Sequence, residues 1–459
     1  MSSHPDIEVE SLKGKRSLIL GLTWPALAES ILASLVSMID MIMVGALGAF
    51  AIGAVGLVTQ PRFVMLAAFM AMNVGSTAMV ARFKGARDKE SADMALNQAL
   101  IMATGISVIL CISLFFGGNG LIRFLAGSNI SEEMILGANE YLRIQVYGFP
   151  ALALTFTINA ALRGSGNTRA AFYNNAVGNV VKVIMNYCLI SGNFGFPALG
   201  LAGASIATCI AQCVTLAMAL SKVLSGKEYI RLDIRKMLNV NFSMIRRIWR
   251  IGFPALVEQV FMRVGMMLFT IIVTSLGDHS YAAHMIAMNL QQLSFMTGMS
   301  FGAAATTLVG QSLGRVRVDL AKTYVKMTHN LCLIISILVS LLLFFGGELI
   351  ASLYTTDRAL SLLASNMIKI IALVNVFSNA RFIYNSALRG AGDSRFVALI
   401  TFVGILILRP LVSIVLVYSL FPFQLGLAGI WIALSADGVV CFFLARARFA
   451  RGKWAEIKV

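Results

Sequence analysis

The stretch ALRGSGNTR at residues 161–169 returns as ALRGAGDSR at residues 387–395, 226 positions further along the chain. Two further segments repeat at nearly the same offset, namely LGLAG at 199–203 and 425–429, and WPALAE at 24–29 followed by FPALVE at 253–258. Repeats in this order indicate that one structural unit is written twice. Two similar halves with polar residues inside their helices are typical of secondary transporters.

The composition of the chain is that of a membrane protein. Hydrophobic residues make up 58% of the 459 residues and charged residues only 13%, whereas soluble domains carry about 25% charged residues. Apolar stretches of roughly 20 residues, the length needed to cross a bilayer as a helix, recur along the chain. We therefore predict an all-α polytopic membrane protein whose first span acts as the insertion signal, since no cleavable signal is evident.

The apolar stretches predict twelve transmembrane helices, with breaks at clusters such as Gly117–Gly120 and Gly192-Asn193. The predicted spans are 18–46, 52–81, 92–117, 138–162, 170–192, 198–222, 250–276, 281–311, 322–346, 362–388, 396–420 and 426–446. They divide the chain into an N-terminal six-helix lobe (1–222), a cytoplasmic connector (223–249) and a C-terminal six-helix lobe (250–459).

The net charge of +16 is unevenly distributed between the two sides of these spans. Most Lys and Arg residues lie at the two termini and in the even-to-odd loops, whereas the opposite loops hold only Arg123 and Arg358. This positive-inside bias predicts that both termini are cytoplasmic. Each half then starts on the same side, so the halves are parallel repeats. Because the charge sets orientation in the membrane, we exclude nucleic acid as a partner.

Charged residues within the predicted spans are the main candidates for function, because each costs at least about 2.5 kcal/mol at the bilayer centre. Span 1 contains Glu29 and Asp40, which share one helix face roughly 16 Å apart. Span 5 contains Lys182, with Asn186 one turn further on. A pair of Lys182 with Asp40 or with Glu29 would reduce the burial cost. Two interpretations stay open: a static ion pair, or a carboxylate that takes up and releases protons.

The second half carries a different set of charges. Glu258 occupies the repeat position of Glu29 and is the proton-site candidate there, whereas the position equivalent to Asp40 holds Phe269. The ion chemistry of the two halves should therefore differ. The remaining charged residues in its spans, which we expect to form a paired internal network, are Arg263, Arg381, Arg409 and Asp437.

Several uncharged groups complete the candidate set. Amides that could line a wet cavity are Gln60, Asn73, Asn159, Asn289 and Gln292. The ALRGxGxxR segments are interpreted as tight turns whose arginines, Arg163 and Arg389 among them, anchor the helices at the lipid headgroups. The six cysteines all fall in apolar spans, which argues against a metal site. No phosphate-binding loop, HExxH or nucleophile elbow occurs, so neither an enzyme nor a cofactor is expected.

The order of these segments resembles the multidrug and toxic compound extrusion (MATE) family over nearly the whole chain. The segments that carry the resemblance are WPALAESILASLVSMIDMIMVGALG, FPALVEQVFMRVGMMLFTIIVTSLG, AAHMIAMNLQQLSFM with LVGQSLG, and the paired ALRGxGxxR and LGLAG motifs. The chain is more similar to the bacterial DinF-like branch than to the sodium-coupled NorM-like branch. The resemblance implies a monomer in the bacterial plasma (inner) membrane, with two six-helix lobes forming a V-shaped central cleft.

The resemblance also implies a function, the export of organic cations or other amphipathic compounds in exchange for H⁺ or Na⁺. Asp40 matches the acid of span 1 that takes the coupling ion, and Lys182 and Asn186 match polar positions of span 5 that help to form its site. Two departures favour protons over Na⁺. Lys182 places a cation beside Asp40, and Met262 stands where the NorM-like branch has a second-lobe acid.

Two other functions agree less well with the sequence. A flippase for lipid-linked precursors, from the same superfamily, has related lobes, but it is disfavoured by twelve spans and by the acids of span 1. A membrane-embedded enzyme is disfavoured because the scattered polar residues form no convergent catalytic set.

Overall fold

The computed structural model describes residues 11–126, 130–233, 239–355, 357–418 and 425–457. In these ranges the chain is almost entirely helical. The α-helices are α1 (Leu12–Gly45), α2 (Ala49–Gly85), α3 (Lys89–Ala126), α4 (Glu132–Gly164), α5 (Thr168–Ser191), α6 (Gly200–Leu224), α7 (Phe242–Thr274), α8 (Asp278–Gly314), α9 (Val318–Ser352), α10 (Arg358–Gly390), α11 (Ser394–Thr401), α12 (Arg409–Tyr418) and α13 (Gly426–Ala450). A π-helical segment, Phe402–Leu408, joins α11 to α12 into one span.

Eleven helical segments among the described residues are long and apolar enough to cross a membrane. The remaining long helix is α5, whose hydropathy is lowered by four asparagines and Lys182. With α5 the spans of the described chain number twelve, which confirms the predicted all-α polytopic fold. The basic residues Arg235, Lys236 and Lys458, which contributed to the predicted orientation, lie outside the described residues.

The largest difference from the predicted helix bounds lies at the end of α3, where glycines were predicted to end the helix. The break predicted at Gly117–Gly120 was wrong, because α3 continues through it to Ala126. Each glycine costs a helix only about 1 kcal/mol relative to alanine, and Gly118 is buried where a Cβ atom would lie 3.0 Å from Leu142 of α4. The break predicted at Gly192 is confirmed, since this residue ends α5 with a left-handed φ of 74°.

Contacts between helices divide the chain into two compact units, Pro25–Gly252 (the N-terminal unit) and Met1–Trp24 with Phe253–Val459 (the C-terminal unit). In the N-terminal unit α4 packs against α2, α3 and α6, and in the C-terminal unit α10 packs against α8, α9 and α13. The equivalent helix is therefore central in each half, as expected for a duplicated unit. The boundaries of the two lobes and the connector that were predicted from the sequence (1–222, 223–249 and 250–459) remain predictions.

The start of α1 belongs to the core of the C-terminal unit. Leu18, Ile19 and Leu22 are buried there with residues of α8, α9, α10 and α13. The division between the two units falls within α1, just before Pro25. Proline removes a backbone hydrogen bond from the helix interior and favours a bend, so this is the position in α1 where the helix is easiest to bend.

The predicted turns in the two ALRGxGxxR segments are confirmed. Gly166 and Gly392 both have a φ of 91°, a backbone conformation that L-residues with a side chain rarely adopt. The turn that follows α4 and the turn that follows α10 therefore have the same local geometry, and glycine is required at the same position of both.

The glycine that ends the helix in each segment allows two helices to approach closely. A Cβ atom on Gly164 would lie 2.6 Å from the carbonyl oxygen of Thr77 in α2, and one on Gly390 would collide with the carbonyl oxygen of Thr306 in α8. Both threonines donate a hydrogen bond back across the contact: Thr77 to Ala160 and Thr306 to Ser386. The α2–α4 and α8–α10 crossings are thus duplicates.

We expect Gly390→Ala to destabilise the protein by about 1–3 kcal/mol, the usual effect of overpacking a close contact. The added methyl group meets a backbone carbonyl that cannot rotate away, so α8 and α10 must separate. The measurement is the thermal unfolding midpoint in detergent, which should fall by several degrees. Gly105→Ala in α3 is the matched control, because a Cβ atom there meets nothing within 4 Å. Its midpoint should not fall, and it should rise slightly, since alanine is favoured over glycine inside a helix by about 1 kcal/mol.

Candidate functional site

A cavity of about 340 Å³ lies within the N-terminal unit, between α1, α2, α4, α5 and α6. Its charged wall residues are Glu29 and Asp40 from α1, Arg62 from α2 and Lys182 from α5. The predicted common face of Glu29 and Asp40 is confirmed, because both carboxylates line this one space. Charged residues that line a cavity between helices long enough to cross a membrane are candidates for binding ions or a substrate.

Asp40 makes the contacts predicted for it with α5. Its Oδ2 atom accepts a hydrogen bond from Lys182 Nζ at 2.8 Å, and its Oδ1 atom accepts one from Asn186 Nδ2 at 2.5 Å. The side chains of Asp40 and Lys182 are 21% and 15% exposed, so the ion pair is largely shielded and its charges interact strongly. Of the two pairings of Lys182 considered from the sequence, the structure forms the one with Asp40.

Glu29 has a different cation from the one considered for it. Its Oε1 atom accepts hydrogen bonds from Arg163 Nη2 and from Asn175 Nδ2, both at 2.6 Å. Asn159 supports this group from behind, because it donates to Asn175 at 3.1 Å. The interpretation of Arg163 as a headgroup anchor was wrong: this arginine ends α4 inside the unit, paired with a carboxylate, whereas Arg169 at the end of the motif is exposed.

The C-terminal unit repeats this arrangement residue by residue. Glu258 Oε1 accepts hydrogen bonds from Arg389 Nη2 at 2.5 Å and from Thr401 Oγ1 at 3.1 Å. Arg389 corresponds to Arg163 in the repeated motif, so its assignment as an anchor was also wrong. In each half the carboxylate of the proline-containing helix therefore pairs with the arginine of the motif, and this pairing compensates both charges away from water.

The predicted network of the C-terminal unit forms around Asp437, which is fully buried on α13. Arg409 Nη2 donates to Asp437 Oδ2 at 2.5 Å, and Arg381 Nη1 lies 3.6 Å from Oδ1. Arg409 follows the π-helical segment directly, and its guanidinium also lies 5.4 Å from the ring centroid of Phe269. A phenyl ring thus stands where the first half has Asp40, and the acid that pairs with the cation comes from another helix.

The other predicted candidates are spread over both units. Asn159 is the one of the five amides that adjoins a charged site. Asn73 is half-buried on α2, and the side chains of Gln60, Asn289 and Gln292 are exposed. Arg263 on α7 is also exposed, in contrast to the buried Arg409 and Asp437 and the partly buried Arg381 of its predicted network.

Arg62, the fourth charged residue on the wall of the cavity, was not singled out from the sequence. It follows Pro61 inside α2 and lies on the cavity wall with Asp40 and Lys182. A signal for it was present, because an arginine near the middle of an apolar span needs the same explanation as Lys182. The neighbouring Gln60, which was named from the sequence as a candidate to line a cavity, is exposed and does not lie on this wall.

Comparisons with known proteins agree with the duplicated fold. The MatE family profile matches the chain twice, at residues 25–188 and 254–415. The "Probable multidrug resistance protein NorM" of Thermotoga maritima is 29% identical over 442 residues, which are 96% of this chain and 93% of that protein. The "Uncharacterized transporter YisQ" of Bacillus subtilis is 24% identical over 444 residues, 95% of each chain.

Solved structures share the fold at lower sequence identity. A multidrug resistance MATE family transporter of the MOP superfamily, solved in an outward-facing conformation, gives a TM-score of 0.87 at 21% identity and covers 95% of this chain and 96% of its own. A MOP superfamily transporter from Pyrococcus furiosus, reported with reversed polarity of its binding pocket, gives the same TM-score and identity and covers 97% of both chains. The two profile matches span most of the chain and fall one on each half, so this protein belongs to the MATE family of membrane transporters.

Proposed function

We propose that this protein is a proton-coupled antiporter that exports organic cations or other amphipathic compounds by alternating access. The observation that carries the proposal is the Asp40–Lys182 ion pair on the wall of the 340 Å³ cavity. The printed description of the Thermotoga relative as a probable multidrug resistance protein supports the substrate class. The proposal includes a monomer in the bacterial plasma membrane with both termini in the cytoplasm.

Protonation of Asp40 gives the ion pair two states of different charge. With Asp40 ionised, the attraction between its carboxylate and Lys182 holds α1 against α5. With Asp40 protonated, Lys182 loses its counter-ion in a poorly hydrated site, and α1 and α5 are free to rearrange. A few kcal/mol of difference between two conformations is sufficient to change which of them predominates.

The same geometry favours H⁺ over Na⁺ as the coupling ion. A sodium ion needs several oxygen ligands, and both oxygens of Asp40 are already hydrogen-bonded to nitrogen donors, Lys182 and Asn186. The ammonium group of Lys182 also repels a second cation in this shielded site. A proton needs only one oxygen atom and can displace the ammonium group without occupying additional space. Glu29 and Glu258 are the secondary proton sites, since each is paired with a single arginine.

The test is transport by the purified protein in proteoliposomes with an acidic interior, using ethidium and a zwitterionic fluoroquinolone as substrates. We expect accumulation that is driven by the pH difference and lost with a protonophore. One pH unit can support about tenfold accumulation per proton exchanged, because each tenfold concentration ratio corresponds to about 1.4 kcal/mol. A sodium gradient at equal pH should drive none. Transport driven by sodium alone would refute proton coupling, and no transport of either compound would refute the function.

A further inference from the structure

Both acids of the cavity in the N-terminal unit are already neutralised by the protein. Glu29 is paired with Arg163 and also accepts from Asn175, while Asp40 is paired with Lys182 and also accepts from Asn186. Each carboxylate therefore has one cation and one amide. A positively charged substrate would have to displace one of these cations before it could pair with an acid.

Arg62 is a further cation on the same wall. Within the described parts of the chain its guanidinium forms neither an ion pair nor a hydrogen bond, although its charge acts on Lys182. The position 229 residues later holds the neutral Gln291, so the duplicated scaffold itself does not require a cation here. The cavity and its paired groups thus carry one positive charge without a counter-ion. In a membrane interior such a charge is costly unless an anion approaches it.

The rest of the wall suits an amphipathic molecule. Thr155 contributes a buried hydroxyl group that has no hydrogen-bond partner among the residues the structure describes, and a hydroxyl can donate to an anion. Val36, Leu152 and Phe156 provide apolar surface on the same cavity. Its volume of about 340 Å³ lies at the lower end of the range for small-molecule pockets.

We propose that this cavity binds the anionic group of an amphipathic substrate, with the Arg62 guanidinium as its counter-ion. The inference rests on the proposed function for its link to transport, but binding can be measured without transport. For this cavity it selects, among the amphipathic compounds of the proposed function, those that carry an anionic group, such as the zwitterionic fluoroquinolone rather than ethidium. The reason is that both acids of the cavity are paired with cations of the protein, whereas Arg62 is not paired with an acid of the described chain. An acidic lipid headgroup has the same chemistry as such a substrate, so the experiment must separate the two sources.

The experiment is equilibrium dialysis of two radiolabelled probes, naphthalene-2-sulfonate and naphthalen-2-yl-trimethylammonium, against the full chain in phosphatidylcholine nanodiscs. Empty nanodiscs correct for partition into lipid. We expect the sulfonate to bind more tightly than the ammonium probe, and Arg62→Gln to weaken sulfonate binding about tenfold, the effect of losing a charged hydrogen bond. Arg62→Lys should retain most of the affinity. Arg123→Gln, which removes an exposed arginine of the same unit paired with Glu132, should leave it unchanged.

Tighter binding of the ammonium probe, or unchanged sulfonate binding by a folded Arg62→Gln variant, would overturn the proposal. If that variant does not fold, the unsubstituted protein is labelled with phenylglyoxal, a reagent that modifies arginine. The proposal then predicts that the sulfonate probe, but not the ammonium probe, protects Arg62 from the reagent. Adding phosphatidylglycerol to the nanodiscs separates the sources: weaker sulfonate binding would assign the site to a lipid headgroup, and unchanged binding to a soluble anion. If the protein binds the anion but shows no pH-driven transport, the proposed function is rejected while the proposed anion-binding site is still supported.

Discussion

Asp40→Asn should abolish export driven by a pH difference, reducing it below about a tenth of the unsubstituted rate, since a loss of 1.4 kcal/mol of coupling already changes a ratio tenfold. Asparagine has nearly the shape of aspartate but cannot change its charge. It can still accept the hydrogen bond from Asn186, which Asp40 accepts at 2.5 Å. The substrate cavity should remain, so probe binding should persist while uptake into acidic proteoliposomes is lost.

Two companion variants separate lost coupling from lost stability. In Asp40→Asn the ammonium group of Lys182 has no counter-ion, which by itself destabilises a shielded site. The double variant with Asp40→Asn and Lys182→Met removes this unpaired charge, so its thermal stability should recover while transport stays absent. Glu132→Gln, which breaks the exposed pair with Arg123, should transport normally. Full pH-driven transport by Asp40→Asn would remove Asp40 from the coupling scheme and leave Glu29 and Glu258 as candidates.

The sequence predicted the parts of the site that follow from periodicity and duplication. The spacing of Glu29 and Asp40 placed both on one face of a helix, and the spacing of Lys182 and Asn186 did the same for α5. Helical geometry alone was therefore sufficient to place each of these pairs on one face of its own helix. Glu258 was found because the repeat carries it to the position of Glu29.

The sequence could not predict with which cation each acidic residue forms an ion pair. Arg163 and Arg389 stand at the ends of predicted spans, where arginine commonly reaches the lipid headgroups. Whether such a side chain turns outward or back into the helix bundle depends on the rotation of its helix against its neighbours, and hydropathy carries no information on that rotation. The π-helical segment before Arg409 is equally hidden, because Phe402–Leu408 reads as an ordinary apolar stretch.

Asp437→Asn should be the most destabilising single change in the C-terminal unit, by about 3–5 kcal/mol, the usual effect of removing one partner from a buried ion pair. Asp437 is fully buried, and its single negative charge lies 2.5 Å from Arg409 and 3.6 Å from Arg381. The substitution removes the carboxylate that lies between 2.5 and 3.6 Å from both guanidinium groups. The thermal unfolding midpoint in detergent should fall sharply. Asp319→Asn, at an exposed pair with Arg317, is the control and should change it little.

A triple variant tests the physical reason for that loss. Arg381→Met, Arg409→Met and Asp437→Leu together replace the charged group by apolar side chains, and such replacements of buried ion pairs are often neutral or stabilising. We expect the triple variant to regain most of the stability that Asp437→Asn loses. If it regains stability and still transports, the network serves the fold alone. If it is stable but inactive, the second half takes part in coupling through charges arranged differently from Asp40 and Lys182. An unchanged midpoint in Asp437→Asn would contradict both interpretations, because it would mean that water already reaches this carboxylate and shields the two arginines from each other.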